Sequence, residues 1–436
     1  MSRKAQQKGM MLQPYRDDFN RRFTEARYQN LLARMAERTG ERIPFRVAET
    51  PVFVSAELMQ QMIAAGHELT LELLDNPEYM ARAEASVPPM WRSTRPLQHP
   101  NFMTVDFGIV RAADGSLEPK LVELQAFPSI YGYQSDLIEQ YRESFDLGDR
   151  LDGLLGGHDR ASYWRLLRQV IVGEHDPENV VLTEIEPEQQ KTRPDFRVYE
   201  RELGIRTIDI RDVRVRGRQL FYQNDGREVP IRRIFNRAIA DELDRKEITL
   251  PFDLRDDLEV EWAGHPSWFF RISKLSLPYL HHPTVPKAVF LDDWFDDSDS
   301  AYGNPRQTSG LPTMAVRLRT RAVSLPIDRE RLLLKPLFSF AGKGIQFAPA
   351  DKELQAIPKI ERTNYLLQER LSFEPVVATP YGPTQAEIRI LYLWPDGGSL
   401  EAVASLVRLG RGLMMGVDQN RDQRWVGGSA AFSPVS

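Results

Sequence analysis

Two stretches hold residues whose types and spacing suit chemistry. The first, at 331–347, reads RLLLKPLFSFAGKGIQF. A short apolar run ends in Lys335-Pro336, a small-residue loop spans 339–344, and Ile345, Gln346 and Phe347 follow. This order predicts two antiparallel strands joined by a flexible hairpin. Gly342 and Gly344 let backbone N–H groups approach a phosphate, while Lys335 and Lys343 add positive charge around it. An ordinary hairpin with exposed lysines carries the same signature.

The second stretch is a strand-like run over 102–110, a turn at 112–115 and a second strand, PKLVELQ, at 119–125. Asp106 lies on the first strand, Glu123 and Gln125 on the second. Side chains alternate along a strand, so Glu123 and Gln125 share a face. An acidic residue on each of two neighbouring strands, with an amide oxygen beside one, suits Mg²⁺; an acidic pair on an exposed face looks the same. The pair His281-His282 has no third histidine nearby and no helical i, i+4 spacing, so a loop or packing role is expected for it.

The elements that must position these residues follow from periodicity. A chain of 436 residues predicts about two or three domains or subdomains. Apolar spacing predicts helices over 19–38 and over 55–74, the latter with Ser55 as N-cap, and Pro88, Pro89, Pro96 and Pro100 mark a loop. Further on, 129–134 reads as a loop and 135–144 and 161–171 as helices. Strand 179–185, helix 193–203 closed by Gly204 and strand 206–210 read as a parallel βαβ unit. A hairpin, 218–222 and 229–233, turns at Asp225-Gly226, and a helix is expected at 238–245. Lys287 heads an apolar segment, and 298–310 reads as a polar linker. Strands follow at 364–369, at 384–393 with Glu387 and Arg389, and at 400–409 with Arg408; the segment 411–425 holds Arg411, Asp418 and Asn420.

Composition bounds the function. A net charge of −5 argues against a general nucleic-acid binder, and the absence of cysteine excludes disulfides, thiolate nucleophiles and Cys-ligated metals. No window reaches the ~18 apolar residues of a membrane span, and the N-terminus lacks the apolar core of a signal peptide. A cytoplasmic enzyme is the expectation.

The C-terminal order is specific in combination: a strand ending in Lys335-Pro336, a Gly-rich lysine loop, a strand ending in Gln368-Glu369, an acidic-Arg strand and a late Arg/Asn segment. It resembles the ATP-grasp superfamily of carboxylate–amine (or –thiol) ligases. Here the carboxylate set precedes the loop by some two hundred residues. That order resembles the circularly permuted branch, which includes glutathionylspermidine synthetase and the eukaryotic type of glutathione synthetase. Their metal segment is an Asp strand, a turn, then Glu-x-Asn, and VDFGIVRAADGSLEPKLVELQ is similar to it.

The resemblance implies an α+β, circularly permuted ATP-grasp fold: an N-terminal helical extension (1–100), a segment with the metal ligands (101–175), an inserted α/β substrate-side domain (176–265) and the nucleotide-binding subdomains (266–436). It implies ATP and Mg²⁺ as cofactors, with Asp106, Glu123 and Gln125 on the metal and Lys287, Lys335, Ser339, Gly342, Lys343, Gly344, Gln368 and Glu369 around the nucleotide. Lys343, Arg389 and Arg408 are its catalytic candidates, and Ser129 and Arg389 its substrate contacts. Each arginine equally suits a salt bridge, and Glu387 suits a surface strand position better than a metal contact. The partners implied are a small-molecule carboxylate and an amine, with no nucleic acid and no membrane; a homodimer is compatible. Three departures stand out. Gln125 replaces Asn, Thr104 stands where those two synthetases carry arginine, and no cysteine amidohydrolase domain is present. An ATP-grasp phosphotransferase that makes no amide bond, or a relic that binds without turnover, are the alternatives.

Overall fold

The computed structural model describes residues 11–95, 98–298, 313–317, 322–326, 328–338, 344–416, 420 and 422–435. The chain opens with α1 (Gln13–Arg22), α2 (Glu25–Thr39), β1 (Val52–Phe53), α3 (Ala56–Leu74) and α4 (Pro77–Ser86). One helix was expected over 19–38, but the chain breaks there. Phe23 is extended, and the Thr24 hydroxyl accepts from the Arg27 N–H, which starts a new helix. Ser55 caps α3 as its sequence predicts, accepting from the Leu58 N–H.

Next come β2 (Phe102–Arg111), β3 (Leu117–Gln125), α5 (Tyr131–Phe145), β4 (Leu151–Asp152), α6 (Arg160–Ile171), β5 (Val180–Glu184), α7 (Arg193–Leu203) and β6 (Arg206–Asp209). The middle of the chain holds β7 (Arg214–Arg216), β8 (Gln219–Asn224), β9 (Arg227–Ile231), β10 (Arg233–Asn236), α8 (Ala240–Arg245), β11 (Glu261–Ala263), α9 (Trp268–Arg271), β12 (Ala288–Phe290) and α10 (Leu291–Ser298). It continues with β13 (Thr313–Arg317), β14 (Ala322–Pro326), β15 (Leu332–Pro336), β16 (Gln346–Phe347), α11 (Asp351–Ala356) and β17 (Tyr365–Glu369). Last are β18 (Gln385–Leu393), β19 (Glu401–Gly410), β20 (Gly427–Ser429) and β21 (Ala431–Pro434). Of the expected linker at 298–310, residues 299–310 lie outside the described residues, as do 339–343 of the expected loop at 339–344.

Three sheets matter for the site. The main sheet, antiparallel in the order β20-β19-β18-β2-β3, joins an early hairpin to late strands. A second antiparallel sheet has the order β12-β17-β15-β16. The third is parallel, β11-β10-β5-β6, and its chain order reverses between β5 and β10. In open α/β sheets ligands settle beyond the carboxyl ends of the strands at such a reversal.

Alternation on the main sheet separates a core face from a polar one. Val105, Phe107, Ile388 and Ile390 are buried in one cluster with Leu58, Met62 and Leu69 of α3. Asp106, Glu387 and Arg389 fall on the opposite face. On β3, Leu121 and Leu124 both face the core although they are three apart, because a bulge shifts the register at Asp106/Phe107. Glu123 and Gln125 therefore share the polar face, as alternation predicts. The N-terminal segment 11–95 belongs to this architecture: β1 pairs in parallel with β21, and α3 places Leu58, Met59, Met62, Ala65, Leu69 and Leu73 in the core beneath the sheet. Among the described residues no helix is long and apolar enough to cross a membrane.

The approach of α3 to the sheet depends on Gly66. A Cβ there would lie 2.2 Å from Tyr392 Oη and 2.8 Å from Cζ. Tyr392 is fully buried and donates to the Ile63 carbonyl at 2.8 Å, so it has no room to yield. Gly66→Ala is expected to lower stability by about 1–3 kcal/mol through overpacking. Urea unfolding measures this, and a parental midpoint would show that the helix can slide.

Candidate functional site

Between the polar face of the main sheet and the second antiparallel sheet lies a cavity of about 730 Å³, within the ~300–1,000 Å³ usual for small-ligand sites. The main sheet contributes Asp106, Glu123, Gln125, Glu387, Arg389 and Arg408 to its wall. The second sheet adds Leu333, Lys335, Phe347 and Gln368. Glu184 and Arg237 enter from the carboxyl ends of β5 and β10, at the reversal point of the parallel sheet.

Sheet register pairs the charges. Arg389 is directly opposite Asp106, and Arg408 directly opposite Glu387. Arg389 donates to both Asp106 oxygens, Nε to Oδ1 at 2.5 Å and Nη2 to Oδ2 at 2.7 Å. Its Nη2 also reaches Gln125 Oε1 at 3.1 Å, and Nη1 reaches Ser129 Oγ at 3.3 Å. Arg408 Nη1 contacts Asp106 Oδ2 at 3.3 Å and Glu387 Oε1 more closely. Its Nε and Nη2 have no acceptor among the described residues. Burial pushes the Asp106 carboxyl up, but Arg389 and Arg408 outweigh it and the pKa ends below its ordinary value. For Glu387 burial wins over Arg408, and the pKa is raised. Lys274 Nζ lies 2.8 Å from Glu123 Oε1.

Lys335 is different. It is 5% exposed, and among the described residues nothing hydrogen-bonds its ammonium. Burial pulls its pKa down to about 8, with Glu123 and Glu387 opposing and Lys274 assisting. Nearby, the buried Gln368 Oε1 has no hydrogen-bond partner among the described residues.

The structure brings together Asp106, Glu123, Gln125, Ser129, Lys335, Gln368, Arg389 and Arg408 around one cavity. Lys287 is exposed and outside that wall; it reaches the second sheet only by its carbonyl, which accepts from the Glu369 N–H at 2.8 Å. Glu369 pairs with Arg331 at 3.0 Å, and Gly344 turns at φ +77° beside Pro336; neither lines the cavity. Ser339, Gly342 and Lys343 lie outside the described residues. Glu387, expected on the surface, is 6% exposed because the second sheet covers its strand face.

Sequence reasoning missed Lys274, Glu184, Arg237 and Asp195. Lys274 stands with Arg271 in the otherwise uncharged, apolar stretch 266–280, and Glu184 sits near the end of the otherwise apolar NVVLTEI. Both were signals, since a charge in a buried run needs a reason. Arg237 ion-pairs with Asp195 at 3.2 Å and donates to the Pro128 carbonyl. Burial pushes Asp195 up to about 6 and Glu184 up to about 8, against the pull of Arg237 in each case. Asp195 also accepts from the Tyr133 N–H at 2.8 Å, holding the first turn of α5. That tertiary contact starts the helix at Tyr131, inside the stretch 129–134 expected to be a loop.

Mg²⁺ takes about six oxygens in a near-octahedral shell. The oxygens of Asp106, Glu123 and Gln125 do not offer that arrangement, because Arg389 engages both Asp106 oxygens and Gln125 Oε1, and Lys274 engages Glu123 Oε1. Among the described residues no group of three His, Asp or Glu side chains could hold a metal ion. The Lys335 ammonium and the Gln368 oxygen, neither hydrogen-bonded among the described residues, do fit a ligand that combines anionic groups with hydrogen-bond donors.

No protein-family model and no curated protein matches the sequence. Among solved structures, the apo form of a glutathione synthetase-like effector from Globodera pallida matches with a TM-score of 0.53 and 13% sequence identity, over 94% of this chain and 98% of that one. The chain therefore has a glutathione synthetase-like fold of mixed helix and sheet.

Lys335 gives this site a pH signature. Between about 8 and its ordinary 10.5 the unfolded chain holds the proton that the folded chain has lost. Stability attributable to this residue therefore rises with pH across that window. Lys335→Met is expected to stabilise the protein near pH 7 by about 3 kcal/mol, an advantage that fades toward pH 10. Urea unfolding at the two pH values checks this; equal stability near pH 7 would mean that the neighbouring carboxylates fully compensate the ammonium.

Proposed function

We propose that the cavity is the nucleotide cleft of an ATP-grasp protein in circularly permuted order, and that the protein is an ATP-dependent carboxylate–amine ligase. Lys335 carries this reading: a desolvated ammonium without a hydrogen-bond partner among the described residues, on a strand that faces a second sheet across a ligand-sized cavity. The chain order supports the permuted topology, since β2 and β3 precede the parallel sheet while β18, β19 and β20 follow it, yet all five form one sheet.

In the proposed reaction a substrate carboxylate oxygen attacks the γ-phosphorus of ATP and ADP leaves. An amine nitrogen then attacks the acyl-phosphate carbon, the C–O bond to phosphate breaks, and the amine gives up a proton as the amide forms. Positioning and charge neutralisation supply most of the catalysis in such transfers. Lys335 would hold the polyphosphate. Arg408, with two nitrogens turned away from its carboxylate partners, would face the charge that develops on the acyl phosphate. A second reading, a protein that binds nucleotide without turnover, is favoured by the grip of Arg389 on Asp106, which leaves that carboxylate no free oxygen.

Thermal unfolding with a non-hydrolysable ATP analogue, followed by ADP release with panels of carboxylates and amines, tests both. At a hundred times Kd the analogue should add about 2.7 kcal/mol of stability, and Lys335→Met should lose that gain. Absence of any shift would remove the nucleotide reading. Binding without ADP release across the panels would favour the second one.

A further inference from the structure

Both oxygens of Asp106, the Gln125 amide oxygen and one oxygen of Glu123 already have partners, and the identity of those partners is informative. Arg389 lies across from Asp106 on the neighbouring strand, so sheet register rather than rotamer choice fixes their contact. One guanidinium engages Asp106, Gln125 and Ser129 at 2.5–3.3 Å. Lys274 holds Glu123 at 2.8 Å. Asp106 and Arg389 are 1% and 5% exposed, which closes the pair to solvent. A divalent ion among these oxygens would have to expel the guanidinium or lie against it, like charge beside like charge. Four cations surround the three carboxylates Asp106, Glu123 and Glu387: Arg389 and Arg408 on the main sheet, Lys335 on the second sheet and Lys274 beside Glu123.

We propose that Arg389 stands where a divalent ion would otherwise bind, so that the cleft takes its ligand's phosphates on protein cations alone. The ligand class is then an unchelated polyphosphate, held by Lys335 and the outer edge of Arg408. This rests on reading the cavity as a nucleotide site.

The test has two arms. In the first, titration calorimetry with a non-hydrolysable ATP analogue compares excess EDTA with Mg²⁺; the two Kd values should agree within about threefold. In the second, Mn²⁺ alone is titrated and followed by electron paramagnetic resonance. The parent should bind none at Asp106, and Arg389→Ala, which releases Asp106 Oδ1 and Gln125 Oε1 and leaves only the 3.3 Å Arg408 contact on Asp106 Oδ2, should gain a site. If that variant does not fold, the double variant Asp106→Asn/Arg389→Gln removes both charges together and leaves no unpaired buried ion. Its binding should weaken yet stay indifferent to EDTA. A loss of about tenfold or more for the parent in EDTA, or parental Mn²⁺ that Asp106→Asn releases, would overturn the proposal. Nucleotide binding in neither buffer would instead sink the nucleotide reading, and the Mn²⁺ arm would still decide the metal question.

Discussion

The buried pair of Asp106 and Arg389 is the contact on which the rest of the structure turns. It joins residues 283 positions apart, on the two strands where the early hairpin meets the late one. Neither charge is tolerable alone in that place: breaking a buried pair by removing one partner costs about 3–5 kcal/mol. The pair also aligns the main sheet. With Asp106 opposite Arg389, Glu387 falls opposite Gly108, and the neighbouring registers then set Arg408 opposite Glu387 and Glu123 opposite Asp106. A one-residue slip would turn these charges into the α3 core and the isoleucines into the cavity.

Much of this was legible in the sequence wherever local pattern decided the outcome. The strands around 102–125 are present, and α7 spans the expected 193–203 with Gly204 in the left-handed region at its end. Strand alternation also told which side chains share a face. It could not tell which strands are neighbours. Glu387 reads as a surface residue on an alternating strand, and only the second sheet lying over it makes it buried. Nor does spacing report that Arg389 spends its donors on Asp106. The three side chains that look like a metal site in one dimension are, in three, the acceptors of a guanidinium and an ammonium. Lys274 was within reach of the sequence, since a lysine in an apolar run must be paired; its partner Glu123 was not.

The three sheets divide the labour around the cavity. The main sheet supplies a rigid charged floor, the second sheet a desolvated lysine and an unsatisfied amide, and the parallel sheet the open ends of its strands. Ile130 adds a sign of constraint at the junction. It lines the cavity with φ at +45°, a conformation that a β-branched residue adopts only when its surroundings impose it. The imposition is visible: Gly132 and Tyr133 are held by Tyr199 and Asp195, which pull the start of α5 against α7 and leave Ile130 to absorb the turn.

The composition of the main sheet also sets an order of events on the ribosome. The parallel sheet draws on one continuous stretch, 180–263, and is complete soon after its last strand emerges. The main sheet is not. Its hairpin ends at Gln125, whereas its last strand ends at Ser429, some 300 residues later. At ~5–20 residues per second, synthesis leaves the apolar face of β2 and β3 without its late partners for about 15–60 s. The charged floor of the cleft is thus the last part to assemble, and the nascent hairpin must be shielded by α3 or by a chaperone until the chain is nearly finished.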